Sequence, residues 1–180
     1  MLENIHRNSF AEAKNGCNLI RQALDEGGST VVTATLKEGL ALRCWAGAMV
    51  NPHGSFLFQK LMECITPAER VTLVNSVSYR LIFAMSKKYG TLSVQKIVDV
   101  CAIENKRVSE QEAACNHTVA TILADTLNHA RVLDLCIDKF GSHVIRCILL
   151  KFPHRYTHFI FDAVAARVKD VACHHLGKNL

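Results

Sequence analysis

With 180 residues, 49% of them hydrophobic and 21% charged, the chain is long enough to bury a sizeable core and has no signature of disorder, collagen or a disulfide miniprotein. A formal net charge of +5 and a pI near 8.8 permit a polyanionic partner without requiring one. Eight cysteines (17, 44, 64, 101, 115, 136, 147 and 173) include no CxxC and lie mostly among apolar neighbours, which implies reduced, buried thiols in a reducing compartment. The opening Met1-Leu2-Glu3-Asn4-Ile5-His6 lacks the positive end and apolar run of a secretory signal. No uncharged apolar stretch reaches about 18 residues, since Arg43 interrupts even Leu40–Val50. The expectation is a soluble, unexported protein.

In chain order, Asn8 or Ser9 is placed to cap a helix through Phe10–Ala13, and Asn15-Gly16 punctuates before a patterned helix at Cys17–Leu24. Asp25–Ser29 reads as a break. Thr30–Val50 is apolar and less regular, and Trp45 is read as core. Pro52-His53-Gly54 makes a turn, Ser55–Cys64 forms a second patterned helix, and Thr66-Pro67-Ala68-Glu69 is a helix start with capping threonine, proline at the first position and a reciprocal glutamate. A third patterned helix follows at Thr91–Val100. Ala102–Val108 is a polar extension, and Ser109-Glu110-Gln111-Glu112 is a second capping-box pattern opening a helix to about Asn128. Val132–Ile137 leads into the fourth patterned helix from Gly141. Pro153–Tyr156 introduces a helix at Phe159–Val168, and Lys169–His175 leads to Leu176–Leu180, where a fifth unit begins and is cut off.

The patterned helices carry one theme. On a helix turning about 100° per residue, Ser142, His143 and Arg146 share one arc while Val144, Ile145, Ile148 and Leu149 fill the other. Gly16-Cys17-Asn18-Leu19-Ile20-Arg21, Gly54-Ser55-Phe56-Leu57-Phe58-Gln59 and Gly90-Thr91-Leu92-Ser93-Val94-Gln95 repeat that arrangement. Successive leading glycines are 38, 36, 51 and 36 residues apart, so one period is longer by about 15 residues than a stacked unit of this size requires. The surplus is assigned to an insertion near residues 102–116, forming a longer loop or a helix on the rim. Three helices per unit, stacked side by side, predict a curved all-α solenoid. A small hydroxyl and a long amide or guanidinium one turn on can bracket the edge of a flat base, and a ring beside them offers a stacking face.

These stretches resemble the Pumilio (PUF) family of RNA-binding repeat proteins, in particular its plant-type members. The residues that carry the resemblance are Asn51–Glu63, Tyr89-Gly90-Thr91 with Val94-Gln95-Lys96, Leu133-Asp134-Leu135 with Gly141–Ile145, and Phe159–Ala163 running to His174-His175-Leu176-Gly177. The resemblance implies a right-handed, armadillo-like superhelix and a partial Pumilio homology domain over 1–180, divergent and truncated. It also implies single-stranded mRNA bound on the concave face, one base per unit. Base-edge pairs would be Cys17/Arg21, Ser55/Gln59, Thr91/Gln95 and Ser142/Arg146, with Asn18, Phe56, Leu92 and His143 as stacking residues. The family's code then reads C-A-A from the fourth unit back to the second. Regulation of translation or decay through a 3'-UTR, regulatory proteins on the convex face and a cytoplasmic location follow from the same resemblance. Leu92 and Asn18 depart from the usual planar stackers, and Arg146 stands where plant-type relatives have glutamine.

Other chemistries find little support. Gly141-Ser142-His143 lacks the second glycine of a nucleophile elbow, and Cys173-His174-His175 has no companion ligand pair. No enzyme activity, cofactor, metal, membrane or DNA partner is expected. Lys87, Lys88, Lys96, Lys139 and Lys151 flank the patterned helices and are assigned at most an assisting role toward phosphates. Two alternatives stand beside RNA reading: a protein-binding α-solenoid, and a truncated gene product whose open end exposes apolar surface.

Overall fold

A computed structural model describes residues 14–102, 108–127 and 129–174. The helix expected at Phe10–Ala13, the middle of the polar extension and the fifth unit at Leu176–Leu180 lie outside the described residues. Within them the chain forms α1 (Lys14–Glu26), α2 (Ser29–Ala41), α3 (Trp45–Ala48), α4 (Gly54–Cys64) and α5 (Pro67–Val77). A 3-10 turn (Ser78–Arg80) runs into α6 (Leu81–Met85), followed by α7 (Gly90–Val100), α8 (Glu110–Thr126), α9 (His129–Ile137), α10 (Gly141–Lys151), α11 (His154–Ala166) and α12 (Val168–Cys173). No strand occurs among the described residues.

The helices stack as an α-solenoid. The patterned helices α1, α4, α7 and α10 pack side by side in that order, and α2, α5, α8 and α11 form a parallel outer row. The short α3, α6 and α9 each sit against the patterned helix that follows. The reason lies in the third, fourth, seventh and eighth positions after each leading glycine. In α4 these are Leu57, Phe58, Leu61 and Met62, all fully buried. In α10 Val144, Ile145 and Ile148 are buried and Leu149 is half-buried. In α7 the first of them is Ser93, whose hydroxyl donates to the Met49 carbonyl of the preceding unit at 2.9 Å, so even the polar exception ties two units together. Burying a side chain such as Phe58 contributes about 1.5–3 kcal/mol.

The recurring glycine also has a steric reason. A Cβ on Gly90 would lie 2.3 Å from the Ala84 carbonyl oxygen, and one on Gly141 would lie 2.7 Å from Leu135 Cδ2. Each short helix abuts the start of its patterned helix too closely for any side chain. The turn before α4 is held by Asn51, whose Oδ1 accepts from the amides of His53 (2.8 Å) and Gly54 (3.0 Å). Asp138 repeats this before α10, accepting from Phe140 (2.9 Å) and Gly141 (2.7 Å). Trp45 is core, with its Nε1 donating to the Leu36 carbonyl at 3.3 Å and its ring edge-on to Phe58 at 6.4 Å.

Thr66 and Glu69 form the full capping box, with Glu69 N donating to Thr66 Oγ1 at 3.3 Å and Thr66 N to Glu69 Oε2 at 2.9 Å. At α8, Ser109 caps the Glu112 amide at 3.2 Å, but Glu112 faces Arg70, 3.8 Å away, so the reciprocal half of the expected box is not formed. The helix opened by Ser109 is not a rim addition. It packs lengthwise on α5 and buries Asn116, Val119, Ala120 and Leu123, taking the outer-row place of its own unit. The surplus residues are divided. Nine residues (101–109) separate α7 from α8 where two separate α4 from α5 or α10 from α11, and α8 is 17 residues long against 11 for α5. The stack continues across them, since α7 and α10 pack directly. No helix among the described residues is long and apolar enough to cross a membrane.

Candidate nucleic-acid interface

Because α1, α4, α7 and α10 lie side by side in one register, each position of the pattern becomes a row across the protein. The second position after each glycine gives Asn18, Phe56, Leu92 and His143, and all four are exposed. Phe56 is 48% exposed and Leu92 40%, so neither ring nor isobutyl group is folded into the core of its own helix. The fifth position gives Arg21 and Arg146, exposed, with Gln59 and Gln95, half-buried, between them. These eight side chains therefore lie in two neighbouring rows, one at each position of the pattern.

The first position behaves differently. Ser142 is half-buried, but Cys17, Ser55 and Thr91 are buried, with Ser55 at 0% and Thr91 at 4% exposure. The expectation that a small polar side chain at each unit faces an open groove therefore fails at Cys17, Ser55 and Thr91, and Ser142 is only partly exposed. At Thr91 the cause is the closeness of the next unit. Thr91 Oγ1 donates at 3.1 Å to the carbonyl of Phe140, in the turn that starts the next patterned helix. Gln95 Nε2 donates in turn to Thr91 Oγ1 at 3.1 Å, so that amide is held by a relay crossing two units. Gln59 Nε2 donates to the Ser55 carbonyl at 3.0 Å, and the buried Ser55 Oγ has no hydrogen-bond partner. In both glutamines the Nε2 is the group used, which leaves Oε1 as an acceptor for another donor.

A feature missed by sequence reasoning borders this surface. Lys60 of α4 pairs with Asp25 of α1, Lys96 of α7 with Glu63 of α4 at 2.7 Å, and Lys151 of α10 with Asp99 of α7. The carboxylates occupy the ninth position after each glycine and two of the lysines the sixth, a spacing that could have revealed the ladder. In α10 the sixth position is Cys147, whose Sγ lies 3.5 Å from Asp99 Oδ1, and Lys151 reaches the same carboxylate from one turn further on. The hydrogen bond to Asp99 raises the Lys151 pKa, and that to Asp25 raises the Lys60 pKa. Burial, reinforced by Asp99, pushes the Cys147 thiol up to about 11, so it stays protonated at neutral pH. Of the rim lysines, Lys96 and Lys151 are thus engaged by carboxylates. Lys87 lies 4.8 Å from the Phe83 ring centroid, Lys88 5.3 Å from that of Tyr89, and Lys139 5.6 Å from that of Phe140.

Comparison with known proteins agrees with this geometry. The family described as "PUF: Pumilio-family RNA binding repeat" matches at residues 49–78, 85–108 and 131–165. A Pumilio domain-containing protein of Schizosaccharomyces pombe is 29% identical over 98% of this chain and 24% of its own length. Pumilio homolog 12 of Arabidopsis thaliana is 26% identical over 91% of the chain and 25% of its own length. The chain therefore spans about a quarter of the length of these relatives. Among solved structures, the Puf4 RNA binding domain bound to the HO endonuclease RNA 3' UTR recognition sequence superposes with a TM-score of 0.80 at 27% identity. That match covers 98% of this chain and 49% of the Puf4 chain. With its repeats, their register and their three-helix stacking in agreement, the chain belongs to the Pumilio family.

Proposed function

We propose that this chain binds single-stranded RNA along the surface of α1, α4, α7 and α10, one base per unit, and so regulates the translation or decay of the mRNA it holds. One observation carries the reading: Asn18, Phe56, Leu92 and His143 are all exposed in one row, beside a parallel row of Arg21, Gln59, Gln95 and Arg146. Phe56 and His143 offer stacking faces, each worth about 1–3 kcal/mol per base. Ser142 and Arg146 bracket a cytosine, and Gln59 and Gln95 present amides to adenines in the two preceding units. With Ser55 and Thr91 buried in the free protein, the long amides meet the bases first, and contact at Thr91 replaces its bond to the Phe140 carbonyl. The RNA bound to Puf4, a 3' UTR recognition sequence, supports a 3' UTR as the class of target. The site of action in this reading is the cytoplasm, with regulatory proteins recruited on the convex face.

The test is fluorescence anisotropy with a panel of short RNAs, with and without C-A-A, at two salt concentrations. The reading predicts a preference for C-A-A that survives added salt and is lost in the Ser142→Ala, Arg146→Ala double variant. Binding that is independent of sequence, disappears with salt and is unchanged in that variant refutes base reading.

A further inference from the structure

The ladder of ion pairs stands where a stability role is weak and an effect on RNA is strong. Its members are partly solvated, with Lys96 and Glu63 side chains 26% and 47% exposed, and such pairs contribute little to folding. Their position is another matter. The ninth position lies one turn beyond the fifth on the same arc, so Asp25, Glu63 and Asp99 form a row beside Arg21, Gln59 and Gln95. Lys60 and Lys96 likewise lie one turn beyond Phe56 and Leu92. Unpaired lysines there would attract the phosphates of any RNA, and unpaired carboxylates would repel them all. Pairing across units cancels both, leaving Arg21 and Arg146 as the cations of the fifth-position row. The pairing persists where the sequence pattern lapses: α10 has Cys147 at the sixth position, yet Lys151 takes up Asp99.

We infer that Asp25, Glu63 and Asp99 are specificity-determining residues, each holding a lysine of the next unit away from phosphate so that binding depends on bases more than on backbone charge. This rests on the RNA-binding reading above and extends it. The carboxylates touch no base; they act through the lysines they hold.

The experiment uses the full chain and two labelled single-stranded RNAs of equal length, one containing C-A-A and one of uridine only, titrated across a salt series. Glu63→Gln with Asp99→Asn frees Lys96 and Lys151. Each freed lysine steepens the slope of log affinity against log salt by about 0.7 for a single strand. Across a fourfold rise in salt, two of them add a further loss of about sevenfold. The double variant therefore binds uridine RNA more tightly at low salt, and the preference for C-A-A shrinks. Adding Lys96→Gln and Lys151→Gln returns the slope to that of the wild type, which a merely structural role would not do. Thermal melts confirm that each variant is folded. A wild type that prefers C-A-A while the double variant keeps its slope overturns this inference alone. A wild type that binds neither RNA overturns the RNA-binding reading and this inference with it.

Discussion

Phe56 and Phe58 stand two residues apart on α4 and face opposite ways, which makes them a matched pair for separating recognition from stability. Phe58 is fully buried against Trp45, 6.4 Å away edge to face, and Phe58→Ala leaves a cavity in the core. The expected loss is about 3–5 kcal/mol of folding stability. Phe56 is 48% exposed, so Phe56→Ala gives up roughly half of the about 1.5–3 kcal/mol that full burial would supply, at most about 1.5 kcal/mol. If Phe56 stacks on a base, the same change weakens RNA binding by about 1–3 kcal/mol, about 5- to 150-fold in Kd. Urea unfolding and anisotropy on the C-A-A RNA, run on both variants, read the two quantities separately. A Phe56→Ala protein destabilised by more than about 2 kcal/mol with unchanged affinity would refute the reasoning, because the ring would then be inter-unit packing.

Three further predictions follow from the same geometry. Gly90→Ala places a methyl 2.3 Å from the Ala84 carbonyl oxygen, so calorimetry should show a loss of about 1–3 kcal/mol, and a neutral result would mean that α6 and α7 are not in this contact. Ser55→Ala removes a buried hydroxyl with no partner and should leave stability unchanged or raise it by up to about 1 kcal/mol, while Thr91→Val breaks the relay from Gln95 to the Phe140 carbonyl and should cost about 1 kcal/mol by urea unfolding. Burial, and then the Arg155 guanidinium, hold the His117 imidazole below its ordinary 6.5. The unfolded chain therefore takes up the proton first, and the stability this histidine contributes is intact above about pH 6.5 and lost as the pH falls toward the folded-state value. His117→Gln should accordingly shrink the drop in urea midpoint between about pH 7.5 and 5.5, and an unchanged drop would place the titrating group elsewhere.

Much of this architecture could be read from the chain because each unit restates it. Leu57, Phe58, Leu61 and Met62 announce a buried arc, Gly54, Gly90 and Gly141 mark where it starts, and Thr66-Pro67-Ala68-Glu69 fixes where the next helix begins. Such signals are local, set by helix periodicity and capping. What stayed hidden depends on the distance between helices. Thr91 carries a hydroxyl like Ser142, yet the Phe140 carbonyl of the neighbouring unit lies over it and it is interior, and Ser55 is interior as well. The partners of Lys60, Lys96 and Lys151 are set by the offset between adjacent helices, which a single helical wheel does not contain. The extra residues after Cys101 looked like an addition to the rim because α8 is polar at its start; its buried stripe of Asn116, Val119, Ala120 and Leu123 begins two turns in.

The most direct test exchanges one edge residue and asks whether base preference follows. Arg146→Gln alters an exposed side chain on α10, so the fold is retained. Paired with Ser142, the new glutamine should shift the preferred base at that unit from cytosine to adenine, weakening binding to C-A-A RNA and strengthening binding to A-A-A RNA in the same anisotropy assay. Equal changes for both RNAs, or none for either, would contradict a base-reading surface on these four helices.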